Sequence, residues 1–280
     1  MPGTLFVVAT PIGNLEDITL RALRVLGDVQ VIAAEDTRRT ARLLARHAIS
    51  TPTLSFHEHN ARTRLPQVIA RLEQGESIAL VTDAGTPGIS DPGTELVHAC
   101  VEAGIPVDPI PGVSAPLAAA VASGFPLMPL TIFGFPPNKA KARVRWLAAI
   151  SEIHNTVTFF EAPHRIAETL RAAAGILGKR HIMVARELTK VHQEFIHGTA
   201  ADLADQAPVT EKGEFTIVVG PLTNSVPTAS RPSDEEIAEI FGVMTNVGRA
   251  TRRAAVSVTA RRLGLSTRDV YAAIERAKNR

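Results

Sequence analysis

The feature that most constrains this chain is an alternation. Short, nearly continuous apolar runs at Leu5–Ala9, Val29–Ala33, Thr53–Phe56, Ser77–Val81 and Val107–Ile110 are separated by helical patterns over Ile18–Leu26, Thr37–Arg46, Arg62–Gln74 and Gly93–Ala103. Apolar runs of this length, bounded by turn residues, read as strands covered on both faces. Strands alternating with helices imply crossover units and a largely parallel sheet. Residues 1–112 are therefore expected to form an α/β domain.

A second set of elements follows. Ser114–Ala122 reads as a short helix and Leu130–Phe133 as a strand. Strands are expected at Thr156–Phe160, His181–Ala185, Glu194–His197 and Phe215–Val219, with helices at Pro163–Leu177 and Ala200–Gln206. His192, Glu194, Ile196 and Gly198 alternate with Gln193, Phe195 and His197, so this part is open to antiparallel pairing. Residues 113–221 make a second α/β domain and 222–232, which include NSVPTASRP, a linker. In residues 233–280, Ser233 followed three positions later by Glu236 is capping-box chemistry. Helices over Asp234–Met244, Arg249–Leu263 and Thr267–Ala277 should give a small helical domain, with Ser266 or Thr267 as an N-cap.

Some classes are excluded. No Asp, Glu, Lys or Arg occurs from Pro109 to Asn138, long enough to span a bilayer. Proline and glycine interrupt that stretch throughout, so it cannot keep its backbone hydrogen bonds internal in hydrocarbon. It reads as a domain junction or pocket wall, and no membrane span is expected. Met1–Thr10 lacks a basic n-region and reads as a first strand rather than a signal peptide. The single cysteine, Cys100, excludes an internal disulfide or a Cys-rich zinc site and makes the cytoplasm the expected compartment.

Ligands of parallel sheets sit at the carboxyl ends of strands, so the chemistry is sought in the loops. The first, PIGNLED, lacks the G-x-G-x-x-G spacing of a dinucleotide fold, and Gly178-Lys179-Arg180 lacks the rest of a P-loop. The next two are Glu35-Asp36-Thr37-Arg38-Arg39 and His57-Glu58-His59-Asn60. His57 and His59 have no third ligand at metal spacing, and no metal is expected. The fourth, TDAGTPGISDPG, is too elaborate for a simple turn and suits close approach of backbone to a ligand. In the fifth, Ser114 can cap the next helix.

Taken together, TPIGNLEDITLRA, AAEDTRRT, HEHN, VTDAGTPGISDPG, PGVSA, FFEAPHR, ARELTKVHQEFIHG and KGEFTIVVG resemble the tetrapyrrole-methylase superfamily of S-adenosylmethionine enzymes. The resemblance covers about residues 4–221, and the helical tail is similar to the C-terminal domain of the branch acting on ribosomal RNA. It implies two α/β domains of the class III methyltransferase type plus a small C-terminal helical domain. It also implies S-adenosylmethionine in the cleft between the domains and a homodimer. The implied reaction is 2′-O-methylation of a cytidine ribose in the decoding centre of 16S rRNA, in the small (30S) ribosomal subunit. Members that act on porphyrins carry G-x-G-x-G-D where this chain has PIGNLED, which favours the ribosomal branch.

By position, the resemblance assigns the cofactor to Pro11, Ala84, Gly85, Thr86, Ile89, Ser114 and Ala115 from the first five loops. From the second domain it assigns Phe160 and Glu214-Phe215-Thr216. A 2′-hydroxyl is a weak nucleophile, so a proton acceptor would help. Glu35, Asp36, His57, Glu161 and Glu187 are the candidate catalytic or orienting groups, and spacing does not choose among them. Arg38, Arg165, Arg186 and Lys190 are candidates for RNA phosphates.

Two other functions compete: a tetrapyrrole methyltransferase, and a non-catalytic nucleic-acid binder using residues 249–277 as a helix-turn-helix. The second would leave the elaborate loops unexplained. The charge distribution bears on RNA directly. The formal net charge is only +2, but residues 225–280 hold ten basic and six acidic side chains. Arg249, Arg252, Arg253, Arg261 and Arg262 lie in this segment, the electrostatic footprint of an RNA-binding arm. The same tail could instead pack in the dimer. An aromatic share of 4% points to backbone and shape contacts rather than a stacking platform.

Overall fold

A computed structural model describes residues 2–89, 93–205, 212–222, 233–246, 251–263 and 266–278. The chain divides into two compact units, Met1–Leu222 and Thr223–Arg280.

In the first unit, β1 (Leu5–Val8), α1 (Leu20–Asp28), β2 (Val31–Ala34), α2 (Thr37–Arg46), β3 (Thr53–Ser55) and α3 (Ala61–Glu73) alternate as expected. The series continues through β4 (Ile78–Val81), α4 (Thr94–Glu102) and β5 (Val107–Ile110). The five strands form one parallel sheet in the order β3-β2-β4-β1-β5. Strand side chains alternate between two cores. Val31, Ala33, Ile78 and Leu80 pack with Val68, Leu72, Leu96 and Cys100 of α3 and α4. Ile32, Ala34, Ala79 and Val81 pack with Ala22, Val25, Leu26 and Leu44 of α1 and α2. With both faces covered, the strands need no polar positions, which explains their continuous apolar runs. Cys100 is fully buried, and burial pushes its thiol up to about 11, so it is a core residue.

The second half of this unit contains α5 (Ala115–Ala122), β6 (Leu130–Ile132), α6 (Ala140–Ser151), β7 (Thr156–Glu161) and α7 (Ile166–Leu177). It then runs through β8 (His181–Arg186), β9 (Glu194–Thr199), α8 (Ala200–Asp205) and β10 (Phe215–Val219). Its sheet has the order β6-β7-β10-β8-β9. β6 and β7 are parallel; β10 pairs antiparallel with β7 and β8, and β8 with β9. The α6, α7 and α8 side chains fill one face around Phe159, Leu170 and Ile217. On the other face, Met183, Ala185 and Val218 pack with Ala119 of α5 and with Ile12, which reaches over from the first half.

Three details depart from the sequence expectations. Helix α6 was not among the expected elements, because its apolar positions are interrupted by Arg143, Arg145 and Lys141. The stretch expected as one helix from Pro163 opens as a 3₁₀ turn over Pro163–Arg165 before α7 begins. Ser114 occupies the N-cap position of α5, but its side chain makes no capping hydrogen bond.

Arg180 is 5% exposed and faces carbonyls only. It donates to Gly220 O at 2.6 Å, Ile150 O at 3.0 Å and Asn155 O at 3.0 Å. One guanidinium thereby ties the end of α6, the approach to β7 and the exit of β10.

The second unit contains α9 (Asp234–Asn246), α10 (Arg252–Leu263) and α11 (Thr267–Lys278), packed around Ile237, Val256, Val270 and Ile274. Ser266 caps α11: its Oγ accepts from Asp269 N–H at 3.1 Å. The expected linker, from residue 223 onward, lies outside the described residues, as do Gly264 and Leu265 of the expected turn.

Candidate functional site

The first sheet places its loops so that they open a crevice. In the order β3-β2-β4-β1-β5, the chain leaves β1 toward β2 and leaves β4 toward β5. These neighbouring connections run to opposite faces of the sheet, α1 on one and α4 on the other, and such a switch point is where open α/β sheets bind ligands. Thr10 and Gly85 hold the crevice floor by exchanging two backbone hydrogen bonds of 2.9 Å. Gly85 has φ +88°, a left-handed conformation that L side chains rarely adopt.

The crevice continues into a cleft of about 360 Å³ between the two sheets. Ile12, Ala84, Gly85, Thr86 and Ile89 come from the loops after β1 and β4. Ser114 and Ala115 come from the start of α5. The opposite wall is Phe160 at the end of β7 and Glu214-Phe215-Thr216 at the start of β10. Antiparallel pairing of these strands sets Phe160 opposite Thr216 and Glu161 opposite Phe215. Phe135, from the uncharged stretch, also lines the cleft and packs its ring 5.3 Å from that of Phe160. Every residue that the resemblance assigns to the cofactor lines this cleft, except Pro11, which lines an adjoining cavity. Ser90, Asp91 and Pro92 of the fourth loop lie outside the described residues.

Ser114 Oγ is buried without a hydrogen-bond partner. A buried hydroxyl left unpaired costs about 1–3 kcal/mol, so a polar group placed beside it in the cleft would recover that cost. The mostly apolar wall with a few backbone and hydroxyl groups suits a nucleoside carrying a thioether or sulfonium. The residues present therefore fit S-adenosylmethionine.

The candidate acids and bases separate by position. Glu35 and Glu161 line the cleft; Asp36, His57 and Glu187 do not. Glu35 Oε2 accepts from Asp83 N–H at 3.2 Å, and Asp83 Oδ1 accepts from Asp36 N–H at 3.1 Å. Arg39 pairs with Asp83 at 3.3 Å. Burial pushes the Glu35 carboxyl up; the Asp83 N–H bond opposes this, the Asp83 charge adds to it, and Arg39 and His57 oppose it. Asp36 caps α2 through Arg38 N–H at 2.8 Å. Its hydrogen bonds from Arg38 bring it down to about 2.

Glu161 is fully engaged. It pairs with Arg165 at 2.9 Å, accepts from Ala162 N–H at 2.7 Å and accepts from Thr169 Oγ1. This network fixes the 3₁₀ turn after β7. Glu187 has φ +51° and pairs with Lys190 at 2.8 Å, and that bond holds its carboxyl below the usual range. His57 and His59 have rings 6.0 Å apart, and among the described residues no group of three or more potential metal ligands occurs.

The expected phosphate ligands also divide. Arg38 is exposed and pairs with Asp36 at 3.1 Å. Arg165 is committed to Glu161, and Arg186 donates to Lys212 O at 3.0 Å and pairs with Glu194 at 3.3 Å. Lys190 bridges Glu187 and Glu214. In the helical unit, Arg252 pairs with Glu275 and lies over the Tyr271 ring. Arg253, Arg261 and Arg262 fall on α10, and Arg249 lies outside the described residues.

Sequence reasoning passes over Asp83, Arg39 and Phe135. The signals were present: Asp83 opens the loop after β4, Arg39 is three positions after Asp36, and Phe135 lies in the uncharged stretch.

The sequence profile of the Tetrapyrrole (Corrin/Porphyrin) Methylases matches residues 4–204. A protein of Halalkalibacterium halodurans called ribosomal RNA small subunit methyltransferase I is 47% identical over 218 residues, covering 78% of this chain and 75% of that protein. A protein of the same name from Xylella fastidiosa is 50% identical over 222 residues, covering 78% of this chain and 81% of its own. Among solved structures, the uroporphyrin-III C-methyltransferase of Thermus thermophilus complexed with S-adenosylhomocysteine aligns with TM-score 0.54 and 16% identity, covering 78% of this chain and 97% of that one. The chain belongs to the tetrapyrrole methylase family and, within it, to the proteins called ribosomal RNA small subunit methyltransferase I.

Proposed function

We propose that this protein transfers the methyl group of S-adenosylmethionine to a ribose 2′-hydroxyl of ribosomal RNA in the small subunit, at a cytidine of the decoding centre. The observation that carries the reading is the two-sheet cleft, with its unpaired Ser114 hydroxyl and a half-buried carboxylate, Glu35, on its wall. The relatives support the RNA substrate by their names.

When bound, S-adenosylmethionine supplies a methyl group activated by positive sulfur. The chain's own residues then have two tasks. Ser114, Gly85 and the Glu214–Thr216 backbone orient the cofactor, because alignment is worth much of the barrier. Glu35 takes the proton of the attacking hydroxyl. Its raised affinity for protons makes it a better acceptor at neutral pH than Asp36, which is held at about 2. In this reading the protein works as a homodimer in the cytoplasm, where its ribosomal substrate is.

The test is transfer of labelled methyl to purified 30S subunits. Label at a decoding-centre cytidine ribose is the expected result. Folded protein that binds S-adenosylmethionine but labels no RNA would overturn it.

A further inference from the structure

A second cavity of about 490 Å³ adjoins the cofactor cleft and shares Ile12, Arg39, Asp83, Ala84 and Glu214 with it. Its character differs. Along one face of α2 it carries Arg39 and Arg42, three positions apart and therefore neighbours on the helix surface. Arg42 is exposed, and among the described residues it pairs with no carboxylate. Lys190 lies at the same cavity with its charge shared between Glu187 and Glu214.

Deeper in the cavity, Thr10 and Thr82 supply hydroxyls. Thr10 Oγ1 is spent on Thr82 O at 3.1 Å. Thr82 is 3% exposed, and its Oγ1 has no hydrogen-bond partner. A buried polar atom without a partner at a cavity wall is a site awaiting a ligand group. Leu15 and Leu43 add apolar surface.

We infer that this cavity is the acceptor subsite: it receives one ribonucleotide of the RNA, with a phosphate at Arg42 and a polar edge of the nucleoside on the Thr82 hydroxyl, while Arg39 stays paired with Asp83 at 3.3 Å. The shared wall at Asp83 and Arg39 turns such a nucleotide toward Glu35, which lines only the cofactor cleft. A single nucleotide cannot enter a walled cavity while stacked in its strand, so the residue is taken out of the stack. The inference rests on the RNA-methylation reading and adds where the RNA is held.

The experiment compares Arg42→Ala, Arg42→Lys and Thr82→Val with the natural protein. Three quantities are read: S-adenosylmethionine affinity by calorimetry, cofactor-free binding of 30S subunits across a salt series, and KM against kcat for methyl transfer. For Arg42→Ala, KM for the subunit should rise about tenfold and the salt slope should fall by roughly one unit, with kcat and cofactor affinity kept. Arg42→Lys should restore most of the affinity. Thr82→Val, which keeps the shape and removes the hydroxyl, should lower kcat/KM about tenfold without changing cofactor affinity.

Unchanged KM in Arg42→Ala together with unchanged kcat/KM in Thr82→Val overturns the subsite. Loss of cofactor affinity in step with RNA affinity also overturns it, because the cavity would then belong to the cofactor. If the natural protein transfers no methyl to RNA, the reaction reading and this inference both fall, an outcome distinct from the first two.

Discussion

At the residue scale, Glu35 and Gly85 carry separable roles. In the proposed reaction Glu35 acts only as a carboxylate, and burial raises its proton affinity. The acid limb of the transfer rate should therefore lie above the ordinary glutamate range, with activity rising as pH increases through it. Glu35→Gln should reduce kcat by about 10²–10⁴-fold and remove that limb, while calorimetry finds cofactor affinity retained. Gly85 is constrained differently. A Cβ there would meet Ile12 at 3.6 Å, an ordinary contact, so space for the first carbon is not the constraint. Its φ of +88° is. Gly85→Ala should cost about 1–3 kcal/mol in urea unfolding by straining the Thr10 bridge. Gly85→Arg should add a long side chain at the cleft floor and abolish cofactor binding by calorimetry.

At the element scale, the first unit depends on two connections, one between the sheets and one within the second half. The loop after β1 lies against the turn after β8. Asn14 N–H donates to Thr189 Oγ1 at 3.0 Å, and a Cβ at Gly13 would fall 2.5 Å from Lys190 Cγ and 2.9 Å from Leu188 O. Gly13 is thus required by close approach, not by a left-handed turn. Gly13→Ala should push the two halves apart, lowering stability by about 1–3 kcal/mol and weakening cofactor affinity together. Arg180 is the second connection. Arg180→Met takes the side-chain donor away from the Gly220 and Asn155 carbonyls, while Ile150 O keeps Ile153 N–H at 3.0 Å, and should cost roughly 3 kcal/mol in urea unfolding, with cofactor affinity little changed in the folded fraction.

At the scale of the whole molecule, charge is unevenly placed. Residues 1–112 hold nine basic and thirteen acidic side chains, whereas residues 225–280 hold ten and six. Truncation after Asn224 should weaken binding of 30S subunits and flatten its salt dependence while leaving cofactor affinity intact. Unchanged binding would assign RNA contact to the cleft-bearing unit alone. Within the helical unit, Arg252 and Arg276 are already committed to Glu275 and Asp234. Arg268, exposed on α11, is better placed than either for a phosphate.

The sequence by itself determined the parallel sheet and its helices. Strands buried on both faces leave an unmistakable apolar run, and α2 and β10 fall where the pattern puts them, at Thr37–Arg46 and Phe215–Val219. It left α6 unread, since three cations interrupt its apolar stripe and Leu147 and Ile150 become core only when β7 arrives beneath them. It offered Ser114 both as a cap and as a cofactor contact; the structure forms no cap bond and leaves that hydroxyl unpaired in the cleft. Above all, it offered five acids and bases on equal terms. Only the tertiary structure parted them, because a carboxylate's role depends on neighbours distant in the chain. Arg165 and Thr169 engage Glu161, Arg38 spends Asp36, and the loop after β4 brings Asp83 beside Glu35. Local pattern specifies which segments become strands and helices; the dielectric and charge around a side chain are set by what packs against it.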